Sequence, residues 1–239
     1  MAVISYNRPE RRNAWSVACV QATIAAIQHA NGEPQVGAIV LTGEGSSFCA
    51  GADLKEEGQY DPVTGHRLTP ATFTMGPGDR NWITLLAQSK PIIAALNGPA
   101  IGIGATQLLA ADIRIAAESA SMSFPFLRLG AMPECGCSAL LARVVGAGRA
   151  LDIILRNATV SADEALRIGL VTAVYPDAEL RSASIALAGE IANLPALQVK
   201  LTKRMFLDNA GVCDPSSIMR TESKAFVELL QTLKREKPL

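Results

Sequence analysis

The residues with the most chemical content sit at two places in the chain. Glu134 stands in the run Met132-Pro133-Glu134-Cys135-Gly136, about one supersecondary unit after the glycine-rich run Asn97-Gly98-Pro99-Ala100-Ile101-Gly102-Ile103-Gly104. A glycine-rich turn from strand into helix leaves main-chain N–H groups free to face an anionic oxygen, and the helix dipole adds favourable potential there. A lone carboxylate close to such donors suits moving a proton on and off a carbon beside a carbonyl. Few other acids lie nearby, so these residues predict a proton shuttle run by one base. The competing reading makes Glu134 an acid at the start of a helix over 135–145, where it complements the helix dipole.

Other chemistries find less support. Cys19, Cys49, Cys135, Cys137 and Cys213 form no C-x-x-C pair, and the histidines, His29 and His66, are far apart. This argues against a metal site or a disulfide framework and predicts a reducing, cytoplasmic setting. Cys135-Gly136-Cys137 reads as small buried thiols packing a tight turn rather than as a redox pair. Gly102 and Gly104 do not complete a dinucleotide fingerprint, because Gln107 occupies the place of its third glycine.

Composition narrows the partners. The chain has 239 residues, enough for one large domain or a core with a smaller appendage. Its 22 basic and 22 acidic residues balance to zero net charge with no basic block, which speaks against nucleic acid. Hydrophobic residues make up 49% and charged residues 18%, an apolar excess that predicts subunit interfaces. No apolar run reaches membrane-spanning length, residues 1–6 do not form a signal peptide, and residues 237–239 are not a peroxisomal address.

The elements that must position these groups alternate between strand and helix. Strands are predicted over 3–6, 36–42, 91–96, 112–116 and 172–175, and helices over 16–30, 103–110 and 135–145, with strand signals thinning out from 135 onward. Such alternation argues for parallel strands with crossover helices. Ser161-Ala162-Asp163-Glu164 is a capping box opening a short helix that ends at Gly169, with Glu164 itself read as a cap. Thereafter helices are predicted over 177–192, 195–207, and a last one capped by Asp214 with Pro215 at its first position. Phe226, Leu229, Leu230 and Leu233 form an apolar stripe on it. The expected organisation is an α/β core over 1–180 and a helical C-terminal region over 181–239. Residues 56–80, with three prolines and four glycines, read as a long functional loop after a turn at Ala50-Gly51-Ala52-Asp53 that opens a helix.

Four segments taken in order resemble the crotonase (enoyl-CoA hydratase/isomerase) superfamily over almost the whole chain. They are Asn7-Arg8-Pro9-Glu10-Arg11-Arg12-Asn13-Ala14, Phe48-Cys49-Ala50-Gly51-Ala52-Asp53-Leu54-Lys55, Lys90-Pro91 through Gly104, and Ser161 through Val171. The resemblance implies a spiral of ββα units with a helical C-terminal region that packs in trimers, so a homotrimer or a dimer of trimers is expected. It implies an acyl-CoA thioester substrate, with coenzyme A part of the substrate and no other cofactor. The thioester oxygen would be held by the main-chain N–H groups of Ala52 and Ile103. Around the substrate the resemblance places Arg8, Arg12, Ala50, Gly51, Asp53, Leu54, Lys55, Gly102 and Phe126. Arg8, Arg12 and Lys55 are candidates for the CoA phosphates or adenosine and equally for solvated surface charge, and Asp53 reads as a turn or cap residue.

Departures from the family pattern separate its reactions. Hydratases of this family carry two glutamates at positions filled here by Thr106 and Phe126, neither of which can deprotonate a water. Pro133-Glu134 instead resembles the position of the single acid in Δ3,Δ2-enoyl-CoA isomerases of the peroxisomal type, enzymes of fatty acid metabolism. The expectation is an isomerase that converts a 3-enoyl-CoA to the trans-2-enoyl-CoA, without metal. The alternatives are hydration or thioester hydrolysis with an acid from 56–80, or an acyl-CoA binding protein in which Glu134 only caps a helix.

Overall fold

The structure, a computed structural model, describes residues 1–55, 59–60, 67–74 and 81–236. Five strands, β1 (Ala2–Tyr6), β2 (Ile39–Gly43), β5 (Ile92–Leu96), β7 (Ile113–Ala117) and β10 (Ala173–Tyr175), make one parallel sheet in the order β1-β2-β5-β7-β10. Ile39 lies opposite both Ala2 and Ile92, which fixes the register of the first three strands. The sequences of β2 and β5 are buried at every residue, as a parallel sheet covered on both faces requires.

A second, smaller sheet is what makes the repeat visible. It joins β6 (Ala100–Ile101), β8 (Ser121–Ser123) and β9 (Thr159–Ser161), with β8 parallel to β6 and antiparallel to β9. The chain thus leaves β5 in the large sheet, crosses into β6 and enters helix α4 (Ile103–Thr106). It then leaves β7, crosses into β8 and reaches helix α5 (Cys137–Val145). Cys49, in parallel bridge contact with Ala100, plays the same part after β2. This is the α/β spiral of ββα units that the sequence resemblance implied. Two further strands, β3 (Gln59–Tyr60) and β4 (Arg67–Leu68), pair as a short antiparallel hairpin followed by α2 (Pro70–Thr74).

Helix α1 (Val17–Gly32) is capped by the Ser16 side chain, which accepts from the Cys19 N–H, and it buries Val17, Val20, Ile24 and Ile27 along one face. Helix α3 (Trp82–Gln88) is capped in the same way by Asn81. Helix α6 (Ala147–Leu155) follows α5, and α7 (Ala162–Arg167) begins after Ser161, whose hydroxyl accepts from the Glu164 N–H. The C-terminal region is helical: α8 (Leu180–Ala192), α9 (Ala196–Asp208) and α10 (Pro215–Glu236). Lys203 fastens α9 to the core by donating to the Leu86 carbonyl and the Asp112 carboxylate, both at 2.7 Å.

Several expectations need correction. The second strand starts at Ile39 rather than 36, because Gly37 sits against the backbone of Ala192 at the end of α8. The helix expected from 177 begins at Leu180, since Asp177 instead accepts the Ser119 N–H. Helix α5 begins at Cys137 rather than 135. Strands β6, β8 and β9 were not anticipated; each has two or three residues, too short to show a period. Glu164 is not the reciprocal half of a capping box, for its carboxylate pairs with Arg167.

Candidate active site

Three turns carry the candidate residues. The first is Ala50-Gly51-Ala52-Asp53. Two buried or half-buried asparagines shape its approach: Asn13 donates to the carbonyls of Glu44 and Ser47, and Asn97 donates to that of Gly45 while accepting from the Gly43 N–H. The turn itself is threaded onto Trp15, whose N–H donates to the Gly51 carbonyl at 2.7 Å and whose carbonyl accepts from Asp53 at 2.8 Å. Ala52 faces Trp15 in a parallel bridge, and its own N–H has no hydrogen-bond partner among the described residues.

The second turn is Ile101-Gly102-Ile103-Gly104. Gly102 has φ 56° and ψ −122°, a backbone region open only to glycine, and it turns the chain directly from β6 into α4. Ile103 is the first residue of that helix, so its N–H lacks an intrahelical acceptor and is unpaired among the described residues. The two turns lie backbone to backbone: Ile101 donates to the Cys49 carbonyl at 2.9 Å. A Cβ on Gly104 would fall 2.3 Å from the same carbonyl oxygen. Two unpaired N–H groups from two neighbouring turns make a donor pair suited to an oxyanion.

The third turn carries Glu134. Cys135 and Gly136 both take left-handed conformations, φ 55° and 73°, before α5 starts. Helix α5, which follows this turn, packs against the 3-10 segment Gln107–Ala110 that continues α4. Glu134 is half-buried, and burial raises its carboxyl above the ordinary glutamate range. Its side chain has no hydrogen-bond partner among the described residues, and it precedes the helix cap, Gly136, by two positions. A capping role therefore has no bond to support it. Burial pushes the neighbouring Cys135 thiol up to about 12, with Glu134 and Cys137 adding to the rise, and Cys49 likewise to about 12. Thiols held that high are protonated at neutral pH and serve as packing groups, as the sequence suggested.

Asp53 is the hub of a small ionic cluster. It takes Arg8 at 3.0 Å and Arg11 at 2.8 Å, and it accepts the Lys55 N–H, which marks it as a turn residue. Burial would raise its carboxyl, but Arg11 and Arg8 outweigh burial and hold it below the usual range. Arg8 also donates to the Ala14 carbonyl, so its guanidinium serves the turn first. Arg12 contributes its carbonyl, which accepts from Ala50, while its side chain is exposed. Arg11, which sequence reasoning passed over, borders a groove of about 730 Å³ against α1 together with Arg8, Asp53 and Lys55. Leu54 projects into solvent at 85% exposure, and the helix expected after it would fall outside the described residues. So would most of the 56–80 segment and every acid in it.

Thr106 and Phe126, at the two positions where the resemblance expects acids in a hydratase, are both buried. The Thr106 hydroxyl has no hydrogen-bond partner among the described residues. Sequence reasoning also missed the aromatic cluster beneath the turns. Trp15 meets Trp82 edge to face at 5.1 Å, Trp82 donates its indole N–H to the Gln107 carbonyl, and Tyr6 donates to the Gln107 side chain. The signal was present: these are the only tryptophans in the chain.

This fold and site define a crotonase-fold enzyme that acts on acyl-CoA thioesters. The chain belongs to the enoyl-CoA hydratase/isomerase family, which it matches over residues 1–239. It is 37% identical to a Mycobacterium bovis protein named probable enoyl-CoA hydratase, covering 96% of this chain and 82% of that one. It is 35% identical to the short-chain-enoyl-CoA hydratase of Clostridium acetobutylicum, covering 97% and 87%. Among solved structures, a monofunctional enoyl CoA isomerase from M. smegmatis superposes with a TM-score of 0.73 at 29% identity, covering 91% of this chain and 92% of that one.

Proposed function

We propose that this enzyme shifts the double bond of a 3-enoyl-CoA to give the trans-2-enoyl-CoA, with Glu134 as the single acid and base. What supports the reading is a half-buried Glu134 carboxylate and two N–H donors, at Ala52 and Ile103, all without hydrogen-bond partners among the described residues, while Thr106 and Phe126 fill the other two acidic positions of the family pattern. The Glu134 carboxylate removes the C2 proton, and the electron pair spreads over the dienolate to the thioester oxygen. The N–H groups of Ala52 and Ile103 hold that oxygen as its charge grows. Glu134, now protonated, returns the proton at C4, and the double bond comes to rest between C2 and C3. Proton and charge balance without a metal or redox group. Burial suits the carboxylate to this work, since a raised carboxyl is a stronger base towards a weakly acidic carbon.

Hydration is the second reading, supported by the names of the relatives above. It needs a group to activate water, which neither Thr106 nor Phe126 supplies. Supplying 3-enoyl-CoA and 2-enoyl-CoA separately tests the two. Consumption of the first with a rise in conjugated thioester absorbance is expected. Consumption of the second alone, with formation of the 3-hydroxyacyl thioester, would overturn the proposal.

The helical C-terminal region is proposed as the assembly element. Phe226, Val227, Leu230 and Leu233 on α10 are 41–60% exposed, a row of large apolar groups that a second copy would cover. Sedimentation velocity is expected to give a trimer or a dimer of trimers. A monodisperse monomer at micromolar concentration would count against it.

A further inference from the structure

Helix α3 reaches the Glu134 turn directly, and the other two turns through the residues bonded to them, with its first two residues. Trp82, 1% exposed, donates its indole N–H to the Gln107 carbonyl at 2.9 Å. Gln107 in turn closes the single turn of α4, its N–H reaching the Ile103 carbonyl. The same indole meets Trp15 edge to face, and Trp15 is bonded on both sides of Ala52. Ile83 reaches the third turn: a Cβ on Gly136 would lie 2.4 Å from Ile83 Cδ1 and 3.4 Å from its Cγ1, so the isoleucine methyl rests on the bare Cα of Gly136. One rigid helical start, capped by Asn81, therefore contacts the elements that carry Ala52, Ile103 and Glu134. The far end of α3 is itself held, since Lys203 donates to the Leu86 carbonyl.

We infer that α3 sets the distance between the proton-transferring carboxylate and the two N–H donors, with Trp82 and Ile83 as positioning residues. This rests on the isomerase reading of the site. Two adjacent residues with left-handed φ, Cys135 and Gly136, form a turn that local preference alone does not hold in place. The Ile83 methyl supplies a contact from outside the turn. No side chain could take the place of the Gly136 hydrogen without displacing that methyl. Trp82 does the equivalent for the donor pair, because its ring abuts the tryptophan that threads the Ala52 turn while its N–H is bonded to the end of the Ile103 turn. Removing either contact leaves all reacting groups in place and changes only their mutual placement.

The test is Ile83→Ala, with Ile83→Leu as the conservative variant that restores a terminal methyl. Two readouts are taken: steady-state kinetics on 3-enoyl-CoA, and amide hydrogen exchange of peptides covering 132–138. The expected result is a kcat lowered about 10–10²-fold in the alanine variant with KM held, faster exchange over 132–138, and recovery of both in Ile83→Leu. A merely structural loss would lower the amount of active enzyme, with exchange rising across the whole chain rather than over 132–138 alone. Wild-type exchange over 132–138, or faster exchange there with wild-type kcat, overturns the inference. If the wild-type enzyme turns over no 3-enoyl-CoA, the isomerase reading has failed. Exchange alone then decides whether Ile83 holds the turn: faster exchange keeps the clamp, and unchanged exchange removes it.

Discussion

Glu134→Gln is expected to fold, bind acyl-CoA and isomerise it about 10²–10⁴-fold more slowly, or worse, because one residue performs both proton transfers. Glutamine keeps the shape of the side chain and removes the proton acceptor. Little stability should be lost. The side chain makes no capping bond, and its carboxyl is raised by burial, so the proton is held more tightly in the folded state than in the unfolded chain. That contribution favours the fold below the unfolded pKa and is lost as pH rises through the folded one. At neutral pH an ionised Glu134 thus opposes folding slightly, and a neutral glutamine should be equal or better in a thermal melt. A purely structural Glu134 predicts the reverse pattern, full activity with some loss of stability. The wild-type kcat/KM should fall as pH drops through a pKa above the ordinary glutamate value, since only the carboxylate can take the C2 proton. Deuterium exchange at C2 of a saturated acyl-CoA isolates the first transfer, as it requires the base and the donor pair alone. If turnover and exchange both survive in Glu134→Gln, the base lies elsewhere, with an acid from 56–80 the next candidate.

Ile103→Pro is expected to reduce turnover about 10²–10³-fold, the usual cost of one lost oxyanion donor. The position favours the experiment. Ile103 is the first residue of α4, where proline's fixed φ is compatible with the helix and the missing N–H breaks no intrahelical bond. The control must be chosen by burial. The Ile103 side chain is 1% exposed, so Ile103→Gly, harmless by donor chemistry, would cost at least the ~2–5 kcal/mol of an Ile→Ala change. Ile103→Val keeps the N–H and most of the packing at about 0.5–1.5 kcal/mol, and it should retain near-normal kcat. Wild-type turnover by a folded Ile103→Pro protein would remove Ile103 from the site.

The large sheet was legible because its inner strands β2 and β5 are fully buried and mostly apolar, and they announce themselves by composition alone. The small sheet was not. Its strands are two or three residues long, and Ser121, Ser123 and Thr159 are polar, so pairing across the chain rather than local pattern creates them. The strand-to-helix junction at Gly102 and Gly104 was legible in the glycine spacing. The ionic partners were harder. Nothing in Arg8-Pro9-Glu10-Arg11-Arg12 tells which arginine turns inward, and the left-handed backbone at Arg12 and Asn13 decides it. Trp82 and Ile83 follow a segment without apolar period, and what they meet, Trp15 and Gln107 for the one and Gly136 for the other, lies far away along the chain.

The two halves of the site are written in different parts of the polypeptide. Ala52 and Ile103 offer main-chain hydrogens, which every residue except proline would also offer. The letters that resist change there are the glycines beside them, above all Gly104, where any Cβ would strike the Cys49 carbonyl. Proton handling, by contrast, hangs on the identity of one side chain, on a turn whose conformation does not depend on the carboxylate. On the proposed reading, drift at the donor positions leaves the donor chemistry intact wherever the packing survives, while the side chain at 134 decides what the polarised thioester does next. An engineer wishing to change the reaction would hold the glycines fixed and vary 106, 126 and 134 together, treating the backbone as a constant electrophilic platform.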